Sequence, residues 1–205
     1  VVTPIMPSVV YASESPDALD KQYEGEQKGY TYAREGHPNA EILALLIDKL
    51  EGGSSGLVVS SGMAAISSLI MGTLSSGDHV LGGSQLYGRT LRLMREDLPR
   101  FGMQTSFADP TNIDSVKNEI RKNTKMILIE CVSNPTLRVA DLEGIANLCK
   151  KNNILLAVDN TFTTPASIKP YDFGADFVIH SITKLLYCDS DTTLVYVSAK
   201  DKIKM

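Results

Sequence analysis

Two residues carry the most chemistry in this chain, an acid and an amine. Asp159 closes the apolar run Ile154-Leu155-Leu156-Ala157-Val158, and Lys184 follows closely on Asp176-Phe177-Val178-Ile179-His180. Continuous apolar runs of this length between helical segments suit buried strands of a parallel sheet. In open α/β sheets, ligands bind at the carboxyl ends of the strands. Asp159 and Lys184 are therefore expected to share one crevice. The alternative is a buried ion pair, or two unrelated surface charges.

Three further stretches add to this. Ser60-Ser61-Gly62-Met63-Ala64-Ala65 turns a short strand directly into a helix. Small residues there leave the first amides of the helix bare, and its dipole favours an anion against Gly62 and Met63. The stretch is neither GxGxxG nor GxxxxGK[ST], and small residues at a helix start also simply permit close packing. Tyr87, in Gln85-Leu86-Tyr87-Gly88-Arg89-Thr90, could stack on a flat ligand or merely pack. Tyr32 and Arg34 lie in Gly29–Pro38, a loop that could bind phosphate or carboxylate or stay solvated. Gly62 and Met63 with the hydroxyls of Ser181 and Thr183 supply an anion cradle, Tyr87 a stacking ring, Asp159 a carboxylate and Lys184 an amine, all at strand ends. Pyridoxal phosphate needs those four things. The amine forms a Schiff base, and the carboxylate keeps the pyridine nitrogen protonated so that the ring can act as an electron sink.

The elements that must position these groups follow from the pattern. Residues 1–38 lack apolar periodicity and are punctuated by Pro4, Pro7, Pro16, Gly25, Gly29 and Gly36, so an extended arm or long loop is expected. Asn39 caps a predicted helix to about Glu51, with Ile42, Leu46 and Leu50 on one face and Gly52-Gly53 ending it. Strands are expected at 56–59, 78–81, 103–107, 125–130, 154–158, 176–180 and 193–197. Between them come an apolar helix to about Leu74, a basic helix to about Leu98, and helices marked by Ile113/Val116/Ile120 and Leu142/Ile145/Ala146/Cys149. This alternation indicates an α/β fold with a mostly parallel sheet and right-handed crossovers.

Composition narrows the partners. The 205 residues carry a net charge of −4, with 43% hydrophobic and 21% charged residues. That is ordinary for a globular protein, and gives no reason to expect nucleic acid or an anionic membrane. No apolar run reaches the roughly 18 residues of a membrane span, and the start lacks the pattern of a secretory signal. Cys131, Cys149 and Cys188 are odd in number and widely spaced. They fit a reducing cytoplasmic setting without a disulfide framework or a metal site.

The ordered set Tyr32-Ala33-Arg34, Ser61-Gly62-Met63-Ala64-Ala65, Leu86-Tyr87-Gly88, Ser133-Asn134-Pro135, Val158-Asp159-Asn160-Thr161-Phe162 and His180-Ser181-Ile182-Thr183-Lys184 resembles the Cys/Met-metabolism enzymes that use pyridoxal phosphate. That family includes cystathionine γ-synthase, the cystathionine lyases, methionine γ-lyase and O-acetylhomoserine sulfhydrylases. The resemblance implies the large domain of an aspartate-aminotransferase-like (fold type I) enzyme at 39–205, and an arm at 1–38 that contacts a neighbouring subunit. It implies Lys184 as the Schiff-base lysine and proton shuttle, Asp159 at the pyridine nitrogen, and Tyr87 on the ring. Asn134 would meet the phenolic oxygen, Gly62, Met63, Ser181 and Thr183 would hold the phosphate, and Thr161 would line the cofactor site. Tyr32 and Arg34 would reach the phosphate of another subunit, in a dimer of dimers. The implied reaction is γ-elimination or γ-replacement on cystathionine, methionine or an O-acylhomoserine through an external aldimine. The alternatives are β-elimination from cystathionine, or an inactive relative that keeps only the fold.

Three departures accompany the resemblance. Family members are longer, and their smaller C-terminal domain supplies the arginine for the substrate carboxylate. The stretch Leu185-Leu186-Tyr187-Cys188-Asp189 replaces the usual glycines and histidine, and is expected to crowd or recharge the entrance. Arg89 stands where a small residue or cysteine is common; it contacts an acidic substrate group, or it faces solvent or an acid.

Overall fold

The computed structural model describes residues 4–187 and 193–200. The arm is less bare than its sequence suggests. It holds a helix, α1 (Pro16–Tyr23), whose N-terminus is capped by the Ser15 hydroxyl accepting from the Ala18 amide at 3.1 Å. α1 buries no residue, which is why no apolar period announced it. Around it the arm folds back on itself, with Tyr11 N donating to Thr31 O (3.1 Å) and Ala33 N to Val9 O (2.8 Å).

The helix α2 (Pro38–Glu51) follows, and here two expectations are corrected. Its cap is His37, whose ring accepts from the Asn39 amide, and Pro38 takes a first-turn position where a missing N–H costs nothing. Asn39 instead ties down the arm, accepting from Met6 N at 2.9 Å and donating to Pro4 O at 3.0 Å. The buried stripe is Ala44, Ile47, Asp48 and Glu51, whereas Leu46 and Leu50 are exposed. Hydrogen bonding decides the face. Asp48 accepts from the Tyr196 hydroxyl at 2.5 Å and from Gly56 N at 3.0 Å. Glu51 accepts from the Asn160 amide at 2.8 Å and contacts His180. Gly52, at φ 84°, ends the helix in the left-handed region.

From here strands and helices alternate as expected: β1 (Leu57–Val59), α3 (Gly62–Thr73), β2 (His79–Gly83), α4 (Gly88–Arg92), β3 (Gln104–Ala108), α5 (Ile113–Glu119), β4 (Thr124–Glu130), α6 (Leu142–Asn152), β5 (Leu155–Asp159), the short α7 (Thr164–Ser167) and α8 (Pro170–Phe173), β6 (Phe177–Ser181) and β7 (Val195–Ala199). The basic helix expected to run to Leu98 changes pitch on the way. α4 widens to a π turn at Leu93–Asp97 and tightens to a 3-10 turn at Leu98–Phe101.

The seven strands form one sheet in the order β1-β7-β6-β5-β4-β2-β3. β7 runs antiparallel to both β1 and β6, and the other neighbours are parallel. Successive side chains of a strand face opposite ways, so the sheet has two apolar faces. Ile127, Ile129, Leu156, Val158 and Val178 pack with α5 and α6, where Leu142, Ile145, Ala146 and Cys149 form the expected stripe. Met126, Leu128, Ala157, Phe177 and Ile179 pack with Ala65, Ile66, Leu69 and Ile70 of α3. Burying each such Leu or Ile contributes about 1.5–3 kcal/mol. The strand order reverses between β2 and β4, because β3 and β4 flank β2 on opposite sides. Such a reversal opens a crevice at the carboxyl edge.

Candidate active site

Alternation fixes which side chains enter that crevice. Leu128, Ala157 and Ile179 face α3, so Glu130, Asp159 and Ser181, two positions further along their strands, face the same way. Glu130 and Asp159 are direct register partners on β4 and β5. They open onto a cavity of about 670 Å³, lined also by Ser61, Gly62, Met63, Tyr87, Asn134, Thr161, Phe162 and Lys184. The acid and the amine singled out in the sequence thus share one cavity with the aromatic ring.

At the α3 end, the Ser61 hydroxyl accepts from the Ala64 amide at 3.1 Å. That leaves the amides of Gly62 and Met63, the first two helical positions, without an intrahelical acceptor. A Cβ on Gly62 would meet nothing within 4 Å, so the space in front of the turn is open. On the sheet side, Asp159 accepts from the Thr161 amide at 3.0 Å, and Thr161 Oγ1 accepts from Ser181 N at 2.8 Å. Thr161 therefore joins the ends of β5 and β6.

The two carboxyls are electrostatically unsettled. Burial pushes Asp159 above the usual carboxylate range, opposed by hydrogen bonds from Thr161 and by nearby His180. Burial, reinforced by the charge of Asp159, pushes Glu130 up to about 7, and amide bonds from Tyr87 and Asn134 hold it back from rising further. A cavity with a bare helix start, paired acids and an amine suits a flat anionic aldehyde whose ring nitrogen takes a proton.

One residue expected to hold the phosphate stands elsewhere. Thr183 does not line the cavity: its hydroxyl accepts from Leu194 N (3.0 Å) and lies 3.3 Å from Leu194 O, which pins the turn carrying Lys184 to the chain entering β7. Lys184 lines the cavity from an exposed position. Tyr32 and Arg34 lie in the arm, away from this chain's own cavity, with the Arg34 guanidinium 4.7 Å over the Tyr32 ring. Arg89 is exposed on α4 and off the cavity wall. Of the stretch after the lysine, Leu185 lines the cavity and Tyr187 does not, while Cys188 and Asp189 lie outside the described residues. Sequence reasoning missed Glu130 and Phe162. The signal that marks Asp159, an acid closing an apolar strand, is equally present at Glu130. Cys131 and Cys149 are buried and free, with burial pushing both thiols up to about 12. Among the described residues, no helix is long and apolar enough to cross a membrane.

Comparison with known proteins agrees with this geometry. The family model for Cys/Met metabolism PLP-dependent enzymes matches residues 1–204. An L-methionine γ-lyase of Fusobacterium nucleatum is 41% identical over 184 residues, 89% of this chain and 47% of that protein. A cystathionine β-lyase of Bacillus subtilis is 44% identical over 173 residues, 84% of this chain and 44% of that protein. A Campylobacter jejuni structure described as an O-acetylhomoserine (thiol)-lyase, holding N′-pyridoxyl-lysine-5′-monophosphate, superposes with a TM-score of 0.92 at 31% identity, over 98% of this chain and 50% of that one. The chain spans about half the length of the curated relatives it matches.

Proposed function

The chain belongs to the Cys/Met-metabolism family of pyridoxal-phosphate-dependent enzymes, and on that premise we propose that the whole protein carries out γ-elimination or γ-replacement on cystathionine, methionine or an O-acylhomoserine. One observation carries the reading: Lys184, Asp159 and Tyr87 meet in a single cavity at the start of α3. β-Elimination from cystathionine is the second reading, supported by the likeness to the Bacillus subtilis β-lyase.

Each residue has a task in this reading. The bare amides of Gly62 and Met63, with the Ser181 hydroxyl, hold the phosphate. Asp159 holds the proton on the pyridine nitrogen, and Thr161 fixes that carboxyl from behind. Tyr87 and Asn134, which line the cavity, would hold the ring and its phenolic oxygen. Thr183 pins the turn that carries Lys184. When bound, the cofactor supplies an electron sink for the pair left at the substrate Cα. Lys184 Nζ would anchor the cofactor, and the same amine would take the proton from the substrate Cα and carry a proton at Cβ when a γ-substituent leaves.

Residues 39–205 form the cofactor domain, and a further domain of the family type supplies the cation for the substrate carboxylate. Residues 1–38 form the arm. Ile5, Val9 and Val10 of the arm are exposed, as are Leu45, Leu46 and Leu50 of α2. Apolar surface of that kind suits a contact between copies. A second copy there brings Tyr32 and Arg34 to the neighbour's phosphate, in a dimer of dimers.

The test uses the full-length protein with cystathionine, methionine and O-acylhomoserines, following 2-oxobutyrate, pyruvate and thioether. Wild type should be yellow, and borohydride should fix the cofactor irreversibly on Lys184. Lys184→Ala should abolish turnover and that covalent capture. Normal turnover by the variant, or a wild type that takes up no cofactor, would overturn the reading.

A further inference from the structure

Glu130 has a place in this cavity that none of the tasks above uses. It closes β4 on the α3 face, beside Asp159 in register. Its Oε1 accepts from Tyr87 N at 2.6 Å, and the Asn134 amide is near enough to favour the carboxyl's charged form. These are the two residues the cofactor reading puts on the ring and at its phenolic oxygen.

Tyr87 is 56% exposed and begins a five-residue helix that has no side-chain cap. Asn134 is exposed at the head of the loop from 134 to 139, all of which is exposed. Gln85 ties the same two loops at a second point through Ser133 (3.2 Å) and Thr136. The Gln85 tether holds the loops together through side chains, whereas Glu130 reaches the backbone amide of Tyr87 itself.

We propose that Glu130 is the positioning residue of this site: its carboxylate, bonded to the Tyr87 amide and lining the same cavity as Asn134, sets where both meet the cofactor ring. The inference rests on the cofactor reading above. Ionised carboxylates accept amide bonds more strongly than neutral ones, so this hold is tight only while Glu130 is charged. That charge is opposed by Asp159, its register partner on β5, and the Lys184 amine lines the same cavity. Tyr87 also lines the cavity, and the paired Asp109 and Arg138 line the small pocket on the other side of Glu130. Protonation of Glu130, held up to about 7, should loosen both loops.

The experiment measures pyridoxal-phosphate affinity and visible circular dichroism across pH in the full-length cofactor-loaded protein. Wild type is compared with Glu130→Gln and Glu130→Ala. Glu130→Ala should weaken cofactor affinity about 10- to 100-fold, the cost of a charged acceptor, and alter the dichroism as Tyr87 shifts. Glu130→Gln should restore much of the affinity through its amide oxygen, but lose the step that wild type shows near pH 7. If Glu130→Ala does not fold, the pH profile of Glu130→Gln decides alone. Wild-type affinity, dichroism and pH profile in Glu130→Gln would discard the positioning role and leave the cofactor reading intact. A wild type that binds no cofactor would remove both.

Discussion

The two edges of the sheet each bury ionisable groups, and they treat them in opposite ways. At the amino edge, His79 opens β2 fully buried, yet its Nδ1 meets Thr124 Oγ1 at 2.8 Å and its Nε2 meets Ser106 Oγ at 2.9 Å. At the carboxyl edge, Glu130 and Asp159 stand side by side across β4 and β5; each accepts an amide bond, from Tyr87 and Thr161, yet both also open to a cavity. A polar group with all its partners supplied locks the surrounding structure. A pair of acids held side by side on a cavity wall, only partly compensated, marks a place where another charge is meant to arrive. The same chemistry of burial thus reads as architecture at one edge and as a binding site at the other.

The largest break in that contrast should come from Asp159→Asn. The amide keeps an acceptor for the Thr161 N–H but cannot hold a proton on the ring nitrogen. In the full-length enzyme it should slow α-proton removal on the order of 10²–10³-fold while leaving the fold intact. Single-turnover kinetics with a Cα-deuterated substrate checks this, and an unchanged rate would return Asp159 to the class of His79. It would also relieve Glu130 of a like charge, so the variant should show its step near pH 7 moved downward.

The two edges should also titrate with opposite sign in the cofactor-free protein. Burial lowers His79 to about 4, so its contribution is full above 6.5 and is lost as pH falls through about 4. Burial raises Glu130 from 4.5 to about 7, so its contribution is full below 4.5 and is lost as pH rises through about 7. Each is worth on the order of 3 kcal/mol at full swing, before relaxation and water entry reduce it. From pH 4.5 to 6.5 the two slopes cancel, and single variants should expose them. His79→Leu should grow less stable with rising pH in that window, and Glu130→Gln should grow more stable. Urea melts across that range check both signs, and parallel slopes in the two variants would end the contrast.

Much of this was legible before any coordinates. Apolar runs of strand length, punctuated by helical stripes such as Leu142–Cys149, gave the α/β alternation, because both faces of a parallel sheet need apolar cover. Asp159 and Lys184 were legible for the same reason: a charge that ends a buried strand must emerge at an edge. What failed was wherever polar contacts overrode apolar pattern. α2 turns Asp48 and Glu51 inward because Tyr196, Asn160 and His180 wait for them, and those partners are 148, 109 and 129 residues away. α1 buries nothing and so leaves no period. Thr183 faces the backbone of Leu194 because the antiparallel return of β7 supplies it with partners, and nothing local to the SITK stretch foretells that return.

The smallest expected effect belongs to Arg89, and it tests whether the carboxyl edge ends where the cavity wall ends. Arg89 sits two residues beyond Tyr87, which lines the cavity, but is itself exposed and off the wall. A solvent-facing guanidinium interacts weakly with anything more than about a Debye length, roughly 8–10 Å, away in physiological salt. Arg89→Ala should therefore change stability by less than about 0.5 kcal/mol. It should move KM for the dicarboxylate cystathionine and for methionine equally and by less than about twofold, since a surface charge of this kind adds only about 0–1 kcal/mol to any pairing. A rise in KM confined to cystathionine would instead show that α4 swings its charge toward the entrance when substrate arrives. Because Glu130 holds the amide at the start of that helix, the selective rise should then vanish in Glu130→Gln/Arg89→Ala relative to Glu130→Gln alone.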